Sequence, residues 1–311
     1  MSTTSTDTYD QIGIREDLSD SVWDVSPEEV PFSSNCKKES VENTYFEWQT
    51  DSLAAVSADT AVEGDDATFA PASPTVRLGN YTEILEKTAM TSGTLEATNR
   101  AGRGKEMAYQ VAKRVKEIKR DFEHHLVGLN QARVAGDDST ARKTASYSAW
   151  CASNTDGAAA DPAGTGADAA TDGTQRAFTE TLLTNVIDAC WLSGGNPTVI
   201  MANAFNKRAL NGFSGHADQV RHDAADKSVI NAVSVYESDY GVMQVVPNRF
   251  LRARDVLVFE KDYWSIGILR GMKNTPIAKT GDAEKRQVVM EAGLMAKNEA
   301  SSGIIRDLTT S

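Results

Sequence analysis

The stretch TLEATNRAGRGKEMAYQVAKRVKEIKRDFEHHLVGLNQ, Thr94–Gln131, decides how the rest of this chain is to be understood. Met107, Ala108, Val111, Val115, Ile118, Phe122, Leu126 and Leu129 recur at steps of three and four, which on a helix gathers them into one apolar stripe roughly 100° wide. Lys105, Lys113, Lys116, Lys119 and Arg120 cluster on one flank of that stripe, and Glu106, Glu117 and Asp121 lie further round. The spacing predicts one amphipathic helix over about 94–131, with Gly102 and Gly104 loosening its first turns and Gly136 following its end. Thirty or so helical residues at 1.5 Å each span roughly 45 Å, a rod suited to a flat, plate-like protein. The plainer alternative is an ordinary core helix with a solvated charged face.

Ahead of this helix the chain carries little core of its own. Residues 1–42 are polar, with Ile12, Ile14, Leu18, Val22, Trp23, Val25, Val30 and Phe32 scattered singly or in pairs. Such an arm buries too little surface to offset its ordering entropy, so it is expected to lie against something larger or stay unfolded. TYFEWQTDSL (Thr44–Leu53) then alternates, with Phe46 and Trp48 on one face and Tyr45, Glu47 and Gln49 on the other. Thr75–Thr91 returns with Val76, Leu78, Ile84, Leu85 and Met90, and the two read as one long β-hairpin. Its tip is acidic, with Glu63, Asp65 and Asp66 near Pro71 and Pro74. A two-stranded ribbon is marginal alone in water, so it needs a partner surface.

Beyond the helix, Ala152–Thr174 contains nothing apolar larger than Ala or Pro and reads as a flexible flap. A helix beginning near Thr179 or Thr181 and ending at Gly194–Gly195, a buried strand over 198–201 and a short helix near 205–210 follow. From Ser228 to Leu269 the pattern is strands and turns, with VINAVSVYES and VMQVVPN paired across DYG, and VLVFEKDYWSIGIL continuing the sheet; another strand is expected over 287–296. Helices and strands without βαβ alternation indicate an α+β fold.

Composition narrows the function classes. The 311 residues are 40% hydrophobic and 24% charged, with a mean hydropathy of -0.40, and no apolar run approaches the roughly 18 residues that cross a bilayer. The start, MSTTSTDTYDQ, lacks a signal peptide's basic flank and apolar core, which places the chain in a cytosol, without a membrane. Cys36, Cys151 and Cys190 are widely spaced and read as reduced thiols. A net charge of -12 argues against affinity won by neutralising phosphates, so any contact with nucleic acid is local or loose.

The motifs carry no recognisable catalytic chemistry. AGRGKEM (Ala101–Met107) lacks the Walker glycine, since Asn99 occupies that position. His124 and His125 are adjacent and diverge by about 100° on a helix, so they cannot chelate one metal; His125 borders the apolar stripe, and His216 and His222 sit in a polar segment. Asp156, Asp161, Asp168 and Asp172 fit no calcium-loop spacing. There is no GxSxG and no HExxH.

REDLSD (Arg15–Asp20), NTYFEWQTDSLA (Asn43–Ala54), VEGDDA (Val62–Ala67), VPNRF (Val246–Phe250), AKTGDAEKR (Ala278–Arg286) and NEASSGIIRDL (Asn298–Leu308) together resemble a branch of the tailed-bacteriophage major capsid proteins. The resemblance spans nearly the whole chain. It implies an N-terminal arm (1–42), an extended loop (43–91), a peripheral domain (92–178 and 272–311) built on the spine helix, and an axial domain (179–271). It implies a protein of the virion, assembled in the host cytoplasm as hexamers and pentamers into an icosahedral shell around double-stranded DNA. The implied partners are further copies of the chain, a portal, a possible decoration protein and a separate scaffolding protein, since too few residues precede Ile14 for a built-in scaffolding segment. No catalytic, cofactor or metal residue is implied. Some members weld their shells through a loop Lys; no Lys lies between Thr44 and Glu86, so that bond is not expected.

On this resemblance Phe46, Trp48, Glu63, Asp65, Asp66, Lys113, Lys116 and Arg120 are expected contacts between subunits, the acidic tip of one copy meeting the basic helix flank of the next. The alternatives are a nanocompartment shell of the same fold enclosing enzymes, and an α+β enzyme using 152–174 as a lid.

Overall fold

The computed structural model describes residues 29–58, 60–64, 66, 69, 73–99, 104–213 and 234–310. The expectations for the arm up to Glu28, for Asp65 and Pro71, for Arg100–Arg103, for His216 and His222, and for a strand beginning at Ser228 lie outside the described residues.

The expected 38-residue helix is not continuous. A short helix α2 (Gly93–Ala97) ends with Thr98 in extended backbone, and the main helix α3 starts afresh at Glu106. The Glu96 carboxylate accepts the Glu106 and Met107 N–H groups at 3.1 and 3.3 Å, so it supplies the start of α3 with the acceptor a cap would give. α3 (Glu106–Glu123) runs into a π-helical turn, His124–Gly128, and the helix stops there, about 34 Å long and three residues before Gln131. A Cβ at Gly128 would run into the Phe250 carbonyl, a close approach only glycine permits. The stripe is otherwise as expected, with Met107, Ile118, Phe122 and Leu126 buried; Ala108 is exposed.

The hairpin is also shorter than expected. β2 (Tyr45–Thr50) pairs with β3 (Val76–Tyr81) in register from Tyr45↔Tyr81 to Thr50↔Val76. At Thr82 the chain leaves the ribbon, and β4 (Glu83–Ser92) joins a second sheet. That four-stranded sheet also contains β1 (Lys37–Ser40), β10 (Trp264–Ile277) and β11 (Ala283–Ala296), in the order β1-β10-β11-β4. The alternation in EILEKTAMTS explains the switch: Glu83, Leu85, Ala89 and Thr91 turn inward toward α3, while Ile84, Glu86, Thr88 and Met90 turn outward.

A six-stranded sheet completes the body: β5 (Thr155–Asp156), β12 (Gly303–Ile305), β9 (Val256–Phe259), β6 (Val199–Ala202), β8 (Gly241–Pro247) and β7 (Val235–Ser238), in that order. Both faces of its central strands are buried. Val199, Met201, Leu257, Phe259 and Ile304 face a core with Phe32 from α1 (Pro31–Asn35), Tyr147 and Trp150 from α4 (Tyr147–Trp150), and Trp264. Ile200, Ala202, Val256, Val258 and Ile305 face a second core with α5 (Glu180–Leu192) and α6 (Ala204–Asn211). Strand alternation thus lets single strands serve both cores. The sheet also crosses the boundaries expected from sequence: β5 and β12 come from the segments assigned to the peripheral domain, and β10, which starts inside 179–271, belongs to the four-stranded sheet. Among the described residues no helix is long and apolar enough to cross a membrane.

Candidate intersubunit surfaces

The base of the hairpin is sewn into its own chain. Phe46 is 5% exposed and lies against two facing glycines of the four-stranded sheet, where a Cβ at Gly293 would fall 2.8 Å from its ring. Trp48 packs on Trp150 with ring centroids 5.3 Å apart. Buried Asn80 donates to the Thr144 hydroxyl and the Leu294 carbonyl and accepts the Ala145 N–H, at 2.9, 2.7 and 3.0 Å. Phe46 and Trp48, expected at a neighbour, are therefore held inside their own subunit.

The tip is the reverse. Between β2 and β3 the apolar side chains Leu53, Val56, Val62 and Phe69 are 98%, 103%, 73% and 93% exposed. The sequence of this segment holds Asp51, Asp59, Glu63, Asp65 and Asp66, with no Lys or Arg from Thr44 to Val76. Glu63 and Asp66 are exposed. Apolar groups this open beside two well-packed cores mark a surface that the described residues leave uncovered.

The hairpin base and α3 lie on opposite faces of the four-stranded sheet. Gly267 and Gly293, paired across β10 and β11, both turn toward Phe46, whereas Ile266, Ile268 and Ala292 turn toward Val115 and Phe122 of α3. On the α3 side a groove of about 410 Å³ runs beside the helix, with Lys38 and Lys119 at its rim. Lys113 and Lys116 are exposed and Arg120 is half-buried on this same helix. The structure thus brings none of the expected cations to the hairpin's side of the sheet.

What occupies the hairpin's side was not legible as a site. Register aligns Ile84–Glu291–Arg270, Glu86–Val289–Lys273 and Met90–Lys285–Ile277 across β4, β11 and β10. Ile84, Met90 and Ile277 are 50%, 66% and 40% exposed, and Arg270 and Lys273 are exposed beside them. The signal in sequence was the outward alternation of Ile84 and Met90, but it becomes a surface only once β10 is placed two strands away.

Several other charged side chains act as internal ties. Glu123, fully buried where α3 passes into its π turn, accepts the Phe32 and Ser33 N–H groups at 2.7 and 2.8 Å and the Asn248 amide at 2.7 Å. Burial pushes its carboxyl up and those donors pull it back. His125 sits 3.0 Å from the buried Glu83, and that hydrogen bond raises the imidazole above its ordinary value. Cys36, Cys151 and Cys190 are buried and unpaired, and burial pushes the Cys190 thiol up to about 12.

The segment 152–174, expected to be a flexible flap, is pinned along its length. Asn154 donates to the Ala300 and Ser302 carbonyls, and Asp307 accepts the Ala158 and Gly173 N–H groups. Asn130 exchanges hydrogen bonds with Ala170, and Gly166, at φ 71°, lets the Trp150 ring approach. Its aspartates each have their own partners: Asp156 pairs with Arg176, Asp161 with Arg306 and Asp172 with Arg252, while Asp168 accepts the Ala163 N–H. A lid reading does not survive this anchoring. Nearby, Asp255 lies 3.6 Å from Arg252 with Asp172, Asp307 and Arg254 around it, and burial raises its carboxyl to about 7. Among the described residues no cluster of three or more His, Cys, Asp or Glu could hold a metal ion.

The family model described as SU10 major capsid protein matches residues 1–309. The chain is 32% identical to the major capsid protein of Escherichia phage Phieco32, across 96% of this chain and 95% of that protein. Among solved structures, a chain from the capsid of a native GTA particle aligns with a TM-score of 0.66 at 10% identity, covering 97% of this chain and 98% of that one. A chain of Gordonia phage Cozz aligns at 0.63 and 11% identity, covering 100% and 98%. A chain from a Phage G structure of major capsid and decoration proteins aligns at 0.55 and 11%, covering 99% and 100%. At such identities the structural likeness establishes the fold, which is that of phage capsid proteins.

Proposed function

We propose, since this chain belongs to the SU10 major capsid protein family and is a phage major capsid protein, that its copies assemble as hexamers and pentamers into the icosahedral head enclosing the double-stranded DNA of a tailed phage. The observation that carries the assembly is the tip of the hairpin, whose apolar side chains Leu53, Val56, Val62 and Phe69 are almost wholly uncovered among the described residues. A shell repeats each modest contact by symmetry, so covering these groups on every copy contributes to closure.

In this reading 1–42 serves as the arm, 43–91 as the extended loop, 92–178 with 272–311 as the peripheral region and 179–271 as the axial region. The chain's role is structural, without catalysis. A separate scaffolding protein, a portal and a decoration protein are the further partners it calls for. The net charge of -12 suits a wall that touches packaged DNA loosely, so that the genome can be driven in and later ejected.

Negative-stain imaging and sedimentation of the purified full chain test the proposal. Closed shells or capsomers are expected; a stable monomer at high concentration and under assembly conditions would overturn it. Nuclease-protected DNA in phage particles separates a genome container from a compartment loaded with enzymes.

A further inference from the structure

We propose that the aromatic pocket where the end of α5 meets the β7–β8 turn docks a proline-rich segment of a separate protein, one that carries Arg or Lys beside its prolines. The proposal goes beyond the shell reading and does not depend on how copies pack. None of the residues lining the pocket belongs to the hairpin or to α3.

The pocket has a volume of about 250 Å³. Ile187 and Met243, both 1% exposed, form its floor, while Trp191 and Tyr240, 48% and 42% exposed, form its wall. The two rings stack with centroids 4.9 Å apart. Ser238 donates its hydroxyl to the Gly241 carbonyl at 3.0 Å and accepts the Tyr240 N–H at 3.3 Å, which sets the turn. On the other side Glu260 accepts the Asn196 N–H at 3.0 Å, and the Thr198 N–H donates to the Phe259 carbonyl at 3.1 Å. A ligand therefore meets walls already in place and loses little affinity to ordering them.

The lining selects proline. Trp191, Tyr240 and Pro197 make apolar walls with few polar groups to satisfy, and exposed Val242 continues them. Such a groove suits a segment in the polyproline conformation, whose backbone makes no internal hydrogen bonds, stays solvated and is stiff before it binds.

Charge selects the flanks. The stretches that build the pocket, 179–206 and 234–248, contain Glu180, Asp188, Glu237 and Asp239 and neither Lys nor Arg. The Asp188 charge, which also takes a hydrogen bond from the Tyr240 hydroxyl, pushes that phenol up, and Asp239 adds to this. Glu237 lies opposite Val242 across β7 and β8. An acidic rim of this kind attracts a cationic segment and repels nucleic acid. Within the chain itself the comparable sequence is PASPTVR (71–77), whose Arg77 already pairs with Glu47 at 2.9 Å, so the better donor is another protein.

Anisotropy of fluorescein-labelled, capped peptides titrated with the full-length chain tests the site. Arg-Pro-Leu-Pro-Arg should bind saturably, and roughly tenfold more tightly than either the charge-matched Arg-Gly-Ser-Gly-Arg or Glu-Pro-Leu-Pro-Glu. Trp191→Ala should remove that preference. Asp188→Asn combined with Asp239→Asn, which preserves side-chain shape, should weaken Arg-Pro-Leu-Pro-Arg about threefold and leave Glu-Pro-Leu-Pro-Glu no weaker. Urea unfolding should match the unaltered chain for both variants, and if Trp191→Ala is unfolded the paired Asn variant decides. Equal binding of Arg-Pro-Leu-Pro-Arg and Arg-Gly-Ser-Gly-Arg reduces the effect to net charge and overturns the proposal. An unchanged preference in either folded variant does the same. A peptide of residues 71–77 that binds as tightly as Arg-Pro-Leu-Pro-Arg would assign the pocket to a neighbouring copy and overturn the separate partner.

Discussion

Phe46 and Phe69 stand on the same hairpin, yet one is 5% and the other 93% exposed. The base of the ribbon is clamped by two glycines, by Trp150 and by the buried Asn80 amide. At the tip, Leu53, Val56, Val62 and Phe69 stay open to solvent among the described residues. The contrast separates two fates of apolar surface: where an element of the same chain lies within reach, burial stabilises the fold; where none of the described residues does, the surface stays open, as the proposed assembly requires.

That contrast can be broken most severely at the base. Trp150→Ala removes a fully buried indole that supports both Trp48 and the 152–174 segment. It should cost the free chain about 3–5 kcal/mol in urea unfolding. Glu123→Ala comes next. It strips three hydrogen-bond donors of their buried acceptor and unties α1 from α3, for about 2–3 kcal/mol.

Asp255→Asn tests the loop side of the body. The folded carboxyl, raised to about 7 from an ordinary 3.8, holds its proton when the unfolded chain has released it. Between those two values the folded state binds more protons, so stability falls as pH rises, by on the order of 1 kcal/mol per pH unit at its steepest. Thermal unfolding of Asp255→Asn should lose that slope between pH 4 and 7; an unchanged slope would place the titration elsewhere. The smallest effect on the free chain belongs to the tip. Phe69→Ser should leave unfolding within about 0.5 kcal/mol of the unaltered protein, yet lower the yield of closed particles. A large loss of monomer stability there would erase the distinction between base and tip.

Much of the body was legible. The stripe of α3, the helix over 180–192 with its glycine end, the strand at 199–202 and the DYG hairpin all follow from local pattern, because each rests on periodicity and turn chemistry within about a dozen residues. The errors came from long-range partners. The helix expected over 94–131 breaks because Glu96 caps a new start at Glu106, and Thr75–Thr91 divides at Thr82 because β11 competes successfully for β4. The supposed flap is fixed by Asp307 and Asn154, whose partners lie up to 149 positions away. Composition alone cannot distinguish a loop free in solvent from one whose N–H groups are satisfied by a distant carboxylate.

The amino-acid order by itself determined the α+β class, the acidic character of the hairpin tip, the amphipathic spine and, through its motifs, the likeness to capsid proteins. Those properties are local or compositional, so they survive without coordinates. Tertiary structure alone decided which face of the four-stranded sheet the hairpin shares and which it leaves to α3. A side chain's facing depends on strand register, and for β4 that register is set by partners roughly two hundred residues away, Glu83 opposite Ala292 and Ile84 opposite Glu291 being cases in point.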